Sequence, residues 1–87
     1  MVLDGISKKN FVIIGRVGMD FCPDPPGTAT QDAHSMFVSM GGSSANIAAG
    51  LGKFGCRTAL VTCVSDDAVG WYCLNQLDHY GVDRTHV

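Results

Sequence analysis

The stretch Gly41-Gly42-Ser43-Ser44-Ala45-Asn46-Ile47-Ala48-Ala49-Gly50-Leu51-Gly52 puts two glycines, two hydroxyls and an amide at the start of an Ala-rich helix. Helix N-termini leave backbone N–H groups without intrahelical partners, and the helix dipole adds partial positive charge there. Glycines just before the helix let a ligand approach the backbone, because no side chain stands in the way. That is the chemistry of a polyol or anion site. Asn46, in the first turn, carries one acceptor and two donors, which suits a sugar hydroxyl better than a phosphate. The same residues also read as a plain turn with Ser43 or Ser44 as N-cap, and the flanking segments must decide.

Working outward, the helix runs from about Ser44 to Phe54. Ile47, Leu51 and Phe54 form one stripe, and Ala45, Ala48, Ala49 and Gly52 form a nearly smooth second face. Two packed sides imply a helix held between layers. Asn46 and Lys53 fall on the remaining side, free for other use, and Gly55 closes the helix as its C′ residue. Upstream, Phe11-Val12-Ile13-Ile14 reads as a buried strand bounded by Asn10 and Gly15. Its carboxyl end leads into Arg16 to Asp20, and ligands of open α/β sheets gather beyond such ends. Asp20 is therefore either a binding carboxylate or a surface carboxylate in a turn before Pro23.

Cys22 to Ala33 holds all three prolines and reads as a loop. Ser35 to Met40 alternates, with Met36, Val38 and Met40 on one side, and fits a half-exposed strand of an antiparallel excursion or flap. Thr58 to Val64 is a second buried strand, so the order strand, excursion, helix, strand predicts parallel pairing in an α/β sheet flanked by helices. Ser65-Asp66-Asp67 caps a second helix, Ala68 to Tyr80, with Val69, Cys73, Leu77 and Tyr80 inward and Gly81 as its stop. Trp71 points away from that stripe, either exposed or covered by further sequence. The chain stops where another strand is expected to begin, and two parallel strands do not complete a doubly wound sheet. Residues 1–87 thus read as the amino-terminal fragment of a larger domain.

Composition agrees with a small globular unit. Eighty-seven residues make at most one domain, burying roughly 60 to 65% of the unfolded surface. The apolar fraction of 46% against 16% charged is core-rich for that length, which points to apolar surface meant for a partner. A net charge of −2, with six scattered Lys and Arg, leaves no basic stripe and argues against nucleic-acid binding. Met1 to Asn10 has no long apolar run beside a basic region, and no run elsewhere is long enough for a bilayer, so the expectation is a soluble, cytoplasmic protein without membrane contact. The four cysteines show no C-x-x-C spacing and read as reduced structural thiols. The three histidines show no zinc spacing.

Two glycine patterns mislead. Gly50-Leu51-Gly52-Lys53-Phe54-Gly55 matches G-x-G-x-x-G but ends a helix, whereas the dinucleotide fingerprint follows a strand and opens one. Gly52-Lys53 is followed by Phe54 and lacks a glycine at position 47, so the P-loop pattern fails too. Asp66-Asp67 is a metal pair or a helix cap with its dipole-compensating neighbour, and the spacing favours the cap.

These residues resemble the first part of the PfkB, or ribokinase-like, carbohydrate kinases. The resemblance runs through Gly41-Gly42-Ser43-Ser44-Ala45-Asn46-Ile47-Ala48, Leu51, Gly55 and Asp66-Asp67-Ala68-Val69-Gly70, with Gly15 and Asp20 at the opening strand. It implies the amino-terminal part of a ribokinase-like parallel sheet with part of a β-lid, residues 22–40. It also implies ATP- and Mg2+-dependent phosphoryl transfer to a hydroxyl of a sugar or sugar acid. On matching positions Asp20, Gly41, Gly42 and Asn46 hold the substrate, and the lid closes over the sugar and serves in homodimers. Ribose-phosphorylating members carry Asn where Gly18 stands and Lys-Gly where Ser43-Ser44 stand. Gly15-Arg16 with Gly-Gly-Ser-x-Ala-Asn looks more like the kinases of inositol breakdown, which phosphorylate 5-dehydro-2-deoxygluconate. Arg16 then pairs with a substrate carboxylate, or else makes a surface or lid ion pair. The family's carboxyl-terminal signature, with its anion hole, catalytic Asp and nucleotide site, has no counterpart here. The chain alone is therefore expected to be inactive, with no catalytic residue of its own.

Two other classes compete: a stand-alone sugar-binding or interaction module using the lid face, and a nucleotide-binding oxidoreductase. The placement of Gly50 to Gly55 argues against the second.

Overall fold

A computed structural model describes residues 9–87; the reading of the first eight residues lies outside it. The chain runs β1 (Asn10–Ile14), β2 (Gly18–Asp24), a 3-10 turn (Thr30–Asp32), β3 (Ser35–Gly41), α1 (Ser43–Lys53), β4 (Arg57–Val61) and α2 (Ala68–His79). β1 and β4 pair in parallel, from Asn10 opposite Arg57 to Ile14 opposite Val61. On the other side of β4, Asp83 makes a parallel bridge to Ala59: its N–H donates to Thr58 (2.8 Å) and its carbonyl accepts from Leu60 (3.0 Å). β4 is therefore central, and the helices lie against one face of this α/β sheet. Among the described residues no helix is long and apolar enough to cross a membrane.

β2 and β3 form a separate antiparallel hairpin, from Gly18 opposite Gly41 to Asp24 opposite Ser35. The excursion thus begins at Gly18, and Cys22, Pro23 and Asp24 belong to a strand rather than to the loop expected there. Among the described residues β2 pairs only with β3, and Pro is tolerated on such an edge because no ladder bond needs its missing N–H. The hairpin leaves and rejoins the sheet between β1 and α1, which is what the flap reading required.

The core is thin. Ala45, Ala48, Leu60, Leu77 and Val82 form it, with Ile13, Val17, Met40 and Tyr80 packed around. α1 turns its alanine face inward, and a Cβ at Gly52 would fall on the Tyr80 carbonyl, so small residues let the two helix ends touch. The stripe of Ile47, Leu51 and Phe54 packs only in part: Leu51 is half-buried, but Ile47 is 54% and Phe54 60% exposed, because within the described residues no layer lies over them. Val69, assigned inward, is exposed for the same reason, and Gly70 takes the buried place against the Ser65 carbonyl. Gly55 (φ 82°) and Gly81 (φ 72°) stop the helices in the left-handed region, as expected.

Cys56 and Cys73 are buried, and burial pushes the Cys73 thiol up, away from reactivity; Cys22 and Cys63 are exposed. Asp67 caps α2, accepting from Gly70 N–H (2.9 Å) and the Ser65 hydroxyl (2.7 Å), and Asp66 accepts from the Trp71 indole (3.2 Å). The bond from Ser65, then that from Gly70, holds the Asp67 carboxyl below the usual carboxylate range. Its contribution to stability is therefore full above the unfolded carboxylate pKa and is lost as pH falls through the lower, folded value. Asp67→Asn keeps an acceptor for Gly70 but cannot titrate. Melting temperatures taken from neutral to acid pH should show wild type ahead at neutral pH and the gap closing on acidification; a gap independent of pH contradicts this role.

Candidate functional site

The carboxyl end of β1 and the amino end of α1 meet at a seam of glycines. A Cβ at Gly15 would fall on the Ser44 hydroxyl, and one at Gly41 on the Asp20 carboxylate. One at Gly42 would stand 2.6 Å from the Arg16 carbonyl oxygen, and Gly42 holds φ 97°, a conformation that side chains disfavour. Gly42, rather than Ser43 or Ser44, is the N-cap of α1, and it makes no side-chain cap. The Arg16 carbonyl does that work instead, accepting from Ala45 N–H at 3.3 Å.

This seam brings together most of the residues singled out in the sequence. Asp20, on β2, leans its carboxylate over Gly41 and remains exposed, and no described cation pairs with it. Arg16 joins the seam through its main chain, while its side chain is exposed and forms no ion pair with a described carboxylate. Asn46 lies in the first turn of α1, exposed, with its own N–H donating to Gly42 (3.0 Å). The side of α1 that carries Asn46 and Lys53 faces an open cavity of about 410 Å3 between β3, α1 and α2.

Of the cavity's lining, Asn46 alone was read from the sequence as a site residue; the polar Ser39, Tyr72 and Gln76 were not. Ser39 sits opposite Asp20 in the hairpin register, so both side chains share one face. Its signal was invisible while β2 was read as a loop. Tyr72, Gln76 and Tyr80 follow one another at i, i+4, i+8 on α2, a polar stripe that the apolar stripe beside it obscured. In the Gly50 to Gly55 run, Gly52 serves in helix contact, Gly55 in termination, and Gly50 lines the cavity. Among the described residues no group of His, Cys, Asp or Glu is placed to hold a metal.

A family model described as pfkB family carbohydrate kinase matches residues 8–87. A 5-dehydro-2-deoxygluconokinase of Clostridium beijerinckii is 33% identical over 84 residues, 97% of this chain and 25% of the relative. The crystal structure of 2-dehydro-3-deoxygluconokinase from Thermotoga maritima superposes with a TM-score of 0.83 at 26% identity, over 88% of this chain and 23% of that one. Aminoimidazole riboside kinase from Salmonella enterica, complexed with aminoimidazole riboside and an ATP analog, gives 0.75 at 25% identity, over 88% and 24%. This chain spans about a quarter of the length of the curated relative it matches.

The seam has a direct test. Gly42→Ala should destabilise the fold by about 1–3 kcal/mol, the usual cost of such backbone strain, through its φ and the approach of Arg16. Gly27→Ala is the control, because Gly27 also has positive φ (91°) but open space around its Cβ position. Chemical denaturation showing Gly42→Ala no worse than Gly27→Ala would remove the close approach from the argument.

Proposed function

This chain belongs to the PfkB family of carbohydrate kinases, and from that membership we propose that it carries the sugar side of a kinase cleft. The proposed reaction transfers the γ-phosphoryl group of ATP, with Mg2+, to a hydroxyl of a sugar acid, the favoured substrate being 5-dehydro-2-deoxygluconate or a related keto-deoxy acid. The observation that carries the reading is Asp20, an exposed carboxylate that no described cation pairs, held over Gly41 beside the first turn that bears Asn46. A carboxylate accepts from two hydroxyls and an amide both accepts and donates, which is the vocabulary of polyol recognition. Arg16 adds a cation at the same end of the sheet, suited to a substrate carboxylate.

The described residues supply no glycine-rich phosphate cradle, so they are assigned to sugar binding and none to ATP. A carboxylate and an amide position the accepting hydroxyl, and positioning is most of what phosphoryl transfer needs from a protein. Two of the three relatives named above support a sugar-acid substrate, being a 5-dehydro-2-deoxygluconokinase and a 2-dehydro-3-deoxygluconokinase, while the third is a riboside kinase. A place in inositol breakdown and a cytoplasmic location, where ATP is available, belong to the same proposal.

Phosphorylation of a panel of sugars and sugar acids by the protein expressed from its natural reading frame tests the reaction. Asp20→Ala and Asn46→Ala should each weaken substrate binding by about 1–3 kcal/mol, the cost of a lost hydrogen bond to a desolvated polar group. Unchanged affinity in both variants would remove the sugar-site assignment.

The partner in the proposal is a second copy, meeting through the hairpin. Met19, Phe21, Pro23, Met36, Val38 and Met40 share the hairpin face opposite Asp20, and Phe21, Met36 and Val38 are exposed on it. Light scattering should report a dimer, and Phe21→Ser combined with Val38→Ser should shift it to monomer. A dimer unaffected by both changes places the interface elsewhere.

A further inference from the structure

Asp20 leaves much of its own hairpin face unexplained. In the register of β2 and β3, Gly18 and Gly41, Asp20 and Ser39, and Cys22 and Phe37 all point to one side. Phe37 and Ser39 line the cavity of about 410 Å3, as do Val38 and Met40 of the other hairpin face, and Asn46, beside Asp20 at the seam, lines it too, so the cavity adjoins the place where Asp20 stands. Phe37 is 66% exposed there, flanked on its strand by polar Ser39 and Ser35 on the same side. An aromatic ring in water at a cavity wall gains most when an apolar surface covers it.

Across the cavity, Tyr72 and Gln76 stand one turn apart on α2, half-buried, over a floor of Ala49 and Gly50. Among the described residues one charged side chain lines the cavity, Lys53, whose ammonium lies 5.6 Å from the Tyr80 ring, and no carboxylate does. The chamber therefore combines an aromatic platform, an amide, a phenol and a cation, and its size falls within the range of small-molecule sites. An aromatic ring covers the C–H face of a sugar, while an amide pairs with its hydroxyls.

We infer that this chamber receives the end of the substrate remote from Asp20, with Phe37 packing on its C–H face and Gln76 bonding its hydroxyls. Phe37 and Gln76 are then specificity-determining contacts. The sign of the chamber selects polyols that are neutral or acidic over amino sugars. This inference rests on the sugar-kinase reading for its substrate, but the binding it describes does not depend on turnover.

The test uses calorimetric titration of the protein expressed from its natural reading frame with D-gluconate, D-glucose and D-glucosamine, alongside kcat and KM for whichever probe is phosphorylated. Phe37→Ser and Gln76→Ala should each weaken gluconate binding by about tenfold or more, with KM rising and kcat nearly unchanged. Phe37→Tyr, which keeps the ring, should bind as wild type does. Phe21→Leu, at a residue that does not line the cavity, should bind within about twofold of wild type. Melting curves confirm that the exposed Phe37 variants fold.

The inference is overturned by unchanged binding in Phe37→Ser and Gln76→Ala, by an equal loss in Phe21→Leu, by glucosamine binding as tightly as gluconate, or by no saturable binding of any probe. Phosphorylation that ignores Phe37 and Gln76 sinks this inference and leaves the kinase reading standing. Binding that depends on them without phosphorylation of any sugar does the reverse.

Discussion

The close approach of residues 15–20 to residues 41–45 is the constraint on which the rest of this molecule depends. At Gly15, Gly41 and Gly42 an added Cβ would collide with Ser44, Asp20 and the Arg16 carbonyl in turn. Three contacts of this kind bind the exit of β1, the root of the hairpin and the first turn of α1 into one unit. The Arg16 carbonyl caps α1 through Ala45 N–H, so the helix needs no side-chain cap and its serines are free. The same contacts set the height of Asp20 above Gly41. Fold and site are thus a single arrangement here, and a change that opens the seam alters both.

Around that seam the packing is economical. α1 contributes alanines to the core, so the helix lies close to β4 and Leu60 and Leu77 supply most of the large buried side chains. The second face of the sheet tells a different story, since Val12 and Ile14 are 66% and 77% exposed. Fully burying such side chains is worth about 1.5–3 kcal/mol each, and parallel sheets are ordinarily covered on both faces. The apolar continuity of β1, which reads as a doubly buried strand, is therefore a property of the sequence that the described residues satisfy on one face.

Legibility in the sequence followed the local signals. Gly55 and Gly81 stop helices where their positions suggested, Asp67 caps α2, and the parallel pairing of β1 with β4 follows from the strand, excursion, helix, strand order. Asp20, Gly41, Gly42 and Asn46, expected from the resemblance to hold substrate, lie together at the seam. What escaped was non-local. Pro23 and Pro25 disguised β2 as a loop, so the partnership of Asp20 with Ser39 had no sequence signal until the hairpin register supplied it. Ile47, Phe54 and Val69 have the right period for burial, but a period reports which face a residue is on and not whether anything covers that face. Ser43 and Ser44 are good N-cap residues displaced by a backbone carbonyl from another segment.

The charge at the seam decides which ligand it suits. A helix N-terminus taken alone attracts anions, and a glycine-flanked one attracts phosphate most of all. Here Asp20 already places a carboxylate over Gly41, next to that terminus, and no described cation neutralises it. A phosphate brought to the same place would meet like charge at close range, which is costly where water is partly excluded. A hydroxyl meets an acceptor in Asp20, and an acceptor with two donors in Asn46, with no charge to oppose. Under the proposed reading, Asp20 thus makes this helix start better suited to a polyol hydroxyl than to a phosphate.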